Sequence, residues 1–153
     1  MSMPLPPDID AVLPHRDSMR LIHRVVAWQD ESIAVEVDVP TQGLFCTPDG
    51  VPAWVGVEYM AQAIAAWAGC RAWQTGAEPS IGFLLGTRRY TARQPYFAAG
   101  SCLRVEANCE LLGENGLGMF ACRILAGDIE VAVANVSVFQ PTDAAAYLES
   151  GEA

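Results

Sequence analysis

The sequence predicts an α+β domain in which an antiparallel β-sheet wraps around one long central helix. Three observations carry this expectation. Residues 51–74, VPAWVGVEYMAQAIAAWAGCRAWQ, make one apolar block of helical length. Segments on both sides of it alternate apolar and polar residues with the period of a strand. The later segments are joined by short Gly-containing turns that suit hairpins.

In chain order, residues 1–7 form a Pro-rich leader expected to be loose. Asp8 is placed to cap a short helix that runs to Val12 and is stopped by Pro14. Residues 19–28 read as a first strand. Residues 32–39 read as a second, with Ile33, Val35, Val37 and Val39 on one face and Ala34, Glu36 and Asp38 on the other. Pro, Gly, Thr and Asp make residues 40–50 a loop.

The helix then opens with Pro52 in its first turn, where a missing N–H is no loss, and runs until Gly76. Between Ala53 and Cys70 its strongly polar side chains are Glu58 and Gln62, four residues apart and therefore on one face. The remaining surface is apolar all round, which predicts burial on every side. The small residues Ala61, Ala63, Ala65, Ala66 and Ala68 predict strands lying close to the helix axis.

After the helix, Glu78-Pro79 restarts the chain, and residues 81–93 read as a long strand weakened by Gly82 and Gly86. Leu103, Val105, Ala107, Cys109 and Leu111 share one strand face. The turn Gly113-Glu114-Asn115-Gly116 leads into a return over residues 117–126. Gly127-Asp128 turns again, and residues 129–139 close the sheet, Ile129, Val131 and Val133 alternating against Glu130, Ala132 and Ala134. Pro141 ends it, and an exposed acidic tail follows. The whole chain, residues 1–153, reads as one domain without internal repeats. Edge strands of such a sheet need cover, which a side-by-side dimer supplies.

Composition excludes several function classes. A chain that is 52% hydrophobic and 18% charged is expected to be compact rather than disordered. The formal net charge is −9, and all nine basic residues are Arg, a poor basis for nucleic-acid binding, where affinity comes from neutralising phosphates. The five cysteines, Cys46, Cys70, Cys102, Cys109 and Cys122, are odd in number and lack a CxxC pair, which predicts reduced core thiols and no metal site. The first residues lack the basic and apolar regions of a signal peptide, and the central helix is interrupted too early to span a membrane. A cytoplasmic protein is the expectation.

Several stretches resemble the hot-dog fold, and within it the 3-hydroxyacyl-ACP dehydratases of the FabA and FabZ type. Leu13-Pro14-His15-Arg16 and the following residues 19–25 are similar to the family's opening LPHR and LxDRV stretch. Residues 57–62, VEYMAQ, resemble its helix motif xEAMAQ, and Gly82-Phe83-Leu84 through Arg88, Arg93 and Pro95 resemble its strand leading to a basic segment. Residues 52–58, PAWVGVE, are closest to a bacterial subgroup of dehydratases tied to aryl-polyene pigment clusters.

That resemblance implies a catalytic role for Glu58, assisting loss of the 3-hydroxyl of an acyl thioester, with Gln62 orienting its carboxyl. It places the thioester carbonyl on the backbone N–H of Ala53, where free amides and the positive end of the helix meet developing enolate charge. Burial would raise the pKa of such a carboxyl, as suits an acid that protonates a departing hydroxyl. It implies no cofactor beyond the phosphopantetheine arm of an acyl carrier protein or coenzyme A, which bears the substrate. It further implies an acyl carrier protein as partner, and a homodimer or a heterodimer with a related hot-dog subunit.

One position departs from the family. The loop His fourteen residues before the helix carboxylate is Leu44 here, within Gly43-Leu44-Phe45-Cys46-Thr47-Pro48-Asp49. The two histidines, His15 and His23, lie nearer the N-terminus, and His23 stands where the family has Asp. Three readings follow: a dehydratase using another base, with Asp49 or His15 as candidates; a dehydratase-like subunit lending Glu58 to a partner that brings the His; or a hot-dog thioesterase or acyl-thioester binding module.

Each candidate has a plainer structural reading. Glu58 is also a first-turn carboxylate of the kind that helix dipoles favour by about 0.3–1 kcal/mol. His15 suits a backbone-bonding role, and Cys46 an inert thiol. Gly56 costs about 1 kcal/mol relative to Ala in a helix and serves either substrate entry or close packing. Arg88, Arg89 and Arg93 form either a solvated strand face or a docking site for an acidic carrier and its phosphate.

Overall fold

The computed structural model describes residues 3–77 and 83–139. The chain restart at Glu78-Pro79, Gly82 and the acidic tail from Pro141 lie outside the described residues. Strands β1 (Arg24–Gln29) and β2 (Ser32–Asp38) precede the helix. A two-residue strand β3 (Val51–Pro52) and one 3-10 turn (Ala53–Val55) lead into α1 (Gly56–Gln74). Strands β4 (Phe83–Ala92), β5 (Tyr96–Phe97), β6 (Cys102–Leu112), β7 (Leu117–Ala126) and β8 (Ile129–Phe139) follow. Six of them form one antiparallel sheet in the order β1-β2-β6-β7-β8-β4, curled over α1, while β3 pairs with β5.

Three boundaries differ from expectation, each because a tertiary bond outbids local propensity. The first strand starts at Arg24 rather than at residue 19: residues Asp17–Met19 form a 3-10 turn, and the Leu21 amide is taken by the Gln62 side chain. The α-helix starts at Gly56 rather than at Pro52, because Val51 and Pro52 pair with Phe97 and Tyr96 and the Ala53 amide donates to the Pro95 carbonyl at 2.9 Å. The leader is not loose at Pro4, whose carbonyl accepts the Trp28 indole N–H at 3.0 Å. The helix ends as expected: Gly76, at φ +79, closes the last turn onto Trp73, and the Ala77 amide reaches Ala72.

Strand faces follow the alternation until a bulge reverses it. Ile33, Val35, Val37, Leu103, Val105 and Ala107 point into the core. A register shift between Cys109 and Leu111 then breaks the phase of β6, leaving Leu111 54% exposed instead of on the buried face. A second shift, between Ile124 and Leu125, does the same to β8: Val131 is buried, but so are Ala132, Ala134 and Val136, while Ile129 is exposed. The turn over residues 113–116 forms with the Gly113 amide on the Leu117 carbonyl.

The helix is not buried on every side. Tyr59, Met60, Ala63, Ile64, Ala66, Trp67 and Cys70 face the sheet, whereas Ala61, Ala65 and Ala68 remain half-buried on the other side together with Glu58. Close approach falls instead to two glycines. A Cβ on Gly56 would meet the Tyr90 hydroxyl at 2.2 Å, and one on Gly69 the Val12 carbonyl oxygen at 1.7 Å. Gly56 therefore serves packing against β4. All five cysteines are free thiols; Cys70 and Cys122 are buried, but Cys102 is exposed rather than in the core.

Candidate functional site

The polar centre of the molecule is built where the segment before β1 crosses the first turns of α1. Gln62 is 1% exposed, a buried amide amid apolar residues, and it is fully engaged. Its Nε2 donates to the Met19 carbonyl at 2.7 Å and to Glu58 Oε1 at 3.1 Å, and its Oε1 accepts the Leu21 amide at 2.8 Å. One side chain thus fixes both the Glu58 carboxylate and the crossing segment. Glu58 itself is half-buried in the first turn of α1 rather than enclosed.

His15 belongs to the same neighbourhood. Burial lowers the pKa of its imidazole below the ordinary 6.5, with the Glu58 charge pulling the other way and Arg16 adding to the lowering. Its Nδ1 is buried without a hydrogen-bond partner. Arg16 ties the loop beneath it, donating to the carbonyls of Leu13, of His15 at 2.9 Å and of Asp10 at 3.0 Å.

A cavity of about 180 Å³ opens beside this centre, lined by Leu21, His23, Leu44, Phe45, Val51 and Tyr59 among others. Leu44 and His23 are both part of its wall. The two touch the cavity differently from a base. His23 Nδ1 accepts the Asp38 amide at 3.0 Å, so the neutral ring carries its proton on Nε2 and can only donate. Burial lowers the pKa of His23, with Asp38 pulling the other way. Sequence reading passed over His23 as a site residue; its replacement of an Asp was the available signal.

The other expected residues are placed elsewhere. The Ala53 amide is already spent on Pro95, so it is not the free donor expected for a thioester oxygen; the Ala53 carbonyl in turn accepts the Tyr90 hydroxyl at 2.5 Å. Asp49 is exposed on the tight turn joining Thr47 and Gly50, its amide on Thr47 Oγ1. Arg88, Arg89 and Arg93 are exposed on and just after the edge strand β4, Arg89 at a bulge with φ +57. Trp54, 62% exposed, meets Phe45 edge-on with centroids 5.4 Å apart. Among the described residues no group of His, Cys, Asp and Glu side chains is arranged to hold a metal ion, and no helix is long and apolar enough to cross a membrane.

The profile of the ApeP-like family, ApeP dehydratase, matches residues 7–149. The chain belongs to that family. Among solved structures, the ApeP-like chain resembles the dehydratase heterocomplex ApeI:P from Xenorhabdus doucetiae with a TM-score of 0.86 and 28% identity, over 95% of this chain and 98% of that one. A hypothetical thioesterase with coenzyme A from Streptococcus pneumoniae matches at TM-score 0.59 and 12% identity, over 76% and 84% of the two chains. The Escherichia coli PaaI protein of the phenylacetic acid degradation operon matches at 0.58 and 14%, over 76% and 77%. These two share the hot-dog fold and nothing finer. No curated protein matches the chain. The helix-wrapping sheet expected from sequence is the hot-dog fold, and the protein is dehydratase-like.

Proposed function

We propose that this ApeP-like chain contributes the acid of a 3-hydroxyacyl thioester dehydratase and receives the base from a related hot-dog subunit. The observation that carries this reading is the pairing of a carboxylate fixed by Gln62 with a loop that presents Leu44 where the family's imidazole stands. In the forward direction the partner's base removes a proton from C2, the C3–O bond breaks, and Glu58 protonates the departing hydroxyl to give water and the 2-enoyl thioester. The thioester oxygen finds its donor elsewhere than at Ala53. Support for two unlike subunits comes from the ApeI:P heterocomplex, a related assembly.

The substrate would ride on the phosphopantetheine arm of an acyl carrier protein, in aryl-polyene synthesis as the resemblance implies. Arg88, Arg89 and Arg93, a third of the chain's nine basic residues, would dock that acidic carrier. Carrier affinity should fall with salt and with the triple Arg→Ala variant; unchanged affinity removes the docking role.

The decisive assay follows hydration of a 2-enoyl thioester by the chain alone, by a His-bearing homologue alone, and by both. Activity that needs the mixture and disappears with Glu58→Gln supports the shared site. Activity of the chain alone shifts the base to one of its own residues. Release of free thiol in place of hydration at C3 identifies a thioesterase.

A further inference from the structure

The wall of the cavity beside α1 has a chemical bias. Its polar residues are Ser18, Arg20, His23, Gln42 and Tyr59. No carboxylate is among the described residues of the wall, in a chain that carries 18 Asp and Glu. Arg20 can only donate, and so can His23, whose Nδ1 is taken by the Asp38 amide. The rest of the wall is apolar. Such a lining suits an acyl group, an apolar body with a carbonyl acceptor, and it is unsuited to a cation.

Tyr59 is the most enclosed of these polar groups. Its side chain is 2% exposed, and its ring lies against Phe97 with centroids 5.7 Å apart. The Tyr90 hydroxyl is spent on the Ala53 carbonyl, but the Tyr59 hydroxyl bonds none of the described residues. Among the described residues only His15 Nδ1 is sealed off without a partner, so the Tyr59 hydroxyl keeps its opening to the cavity that the residue lines. Phe would pack the same ring without the cost of an unpaired hydroxyl. Burial pushes Tyr59 up to about 12, so the group holds its proton and donates. An apolar cavity of ~150 Å³ takes up one benzene molecule. At about 180 Å³, this one has room for a short acyl group.

We propose that the cavity seats the acyl part of the thioester substrate, with the Tyr59 hydroxyl donating to its carbonyl oxygen. The inference rests on the reading of the chain as one that handles acyl thioesters. It fills the place left open by the Ala53 amide, which is spent on Pro95. The proposed acid is close by along the chain and through its hydrogen bonds. Tyr59 follows Glu58 directly in α1, and Leu21, also in the wall, gives its amide to the Gln62 that holds Glu58.

Calorimetric titration with S-butyryl-pantetheine and S-butyl-pantetheine, which differ only in the carbonyl, tests this on the full chain and on its active assembly. The wild type should prefer the thioester about three- to tenfold, the worth of one neutral hydrogen bond. Tyr59→Phe should abolish that preference and leave the thioether affinity unchanged. Its melting temperature without ligand should hold or rise, since an unpaired hydroxyl is removed. Leu44→Trp, which narrows the cavity, should weaken both probes. The proposal is overturned by equal wild-type affinity for the two probes, by binding of neither, or by a preference that survives Tyr59→Phe. A lowered melting temperature of Tyr59→Phe assigns the hydroxyl to the fold and overturns it too, as does Leu44→Trp binding both probes like the wild type. Glu58→Gln separates the two readings, because it should bind both probes as the wild type does. Hydration that survives Glu58→Gln then defeats the acid role and leaves the cavity standing.

Discussion

Replacing Gln62 by Met tests whether one amide holds the site together. Met is close in length and apolar, so the change in packing should cost less than about 1.5 kcal/mol. The lost bonds matter more. The Leu21 N–H and the Met19 carbonyl, bonded at 2.8 and 2.7 Å, would both lose their partner. An orphaned buried polar group costs about 1–3 kcal/mol, and this segment is only part-buried, so two of them predict a loss of about 2–4 kcal/mol. Urea denaturation of both proteins in the same assembly state measures it. Glu58 would also lose the donor at 3.1 Å that orients it, so activity should fall along with stability. A Gln62→Met protein within about 0.5 kcal/mol of wild type would refute the account, since surface-like tolerance is what an idle side chain shows. Gln62→Glu keeps an acceptor for Leu21 but sets a second carboxyl against Glu58; its stability should recover as the pH is lowered and one of the pair protonates.

Glu58→Gln should lower dehydration or hydration by about 10²–10⁴-fold with little change in unfolding midpoint. Gly69→Ala should destabilise by about 1–3 kcal/mol in denaturant, because its Cβ would stand 1.7 Å from the Val12 oxygen and must push the N-terminal segment off the helix. Folded His15 and His23 both hold protons less well than the ordinary value of 6.5, so the unfolded chain binds more protons below it. Stability is then fully present above about pH 6.5 and declines as the pH falls through the window beneath. A double His→Gln variant should flatten that slope in melting temperature against pH. Thiol reagents should modify exposed Cys102 in the folded protein but reach Cys70 and Cys122, buried and pushed up to about 12, only on unfolding.

Apolar periodicity alone determined the architecture of this protein: a helix too greasy for solvent and strands with one wet face have few ways to be satisfied except by wrapping. The Glu58–Gln62 pair was likewise legible, because a four-residue spacing puts two side chains on one face whatever surrounds them. Tertiary structure decided the rest. Bulges in β6 and β8 reversed which residues are inward, and no pattern in Leu111 or Ile129 announces a register shift. The Ala53 amide was lost to Pro95, a partner forty-two residues away whose carbonyl no local rule places there. His15 came under the charge of Glu58, and His23 into the wall with Leu44, through chain crossings that bring distant residues together. Periodicity is a local property and survives in the string; a hydrogen-bond partner is settled by the whole chain's closure, and appears only once the sheet has curled around its helix.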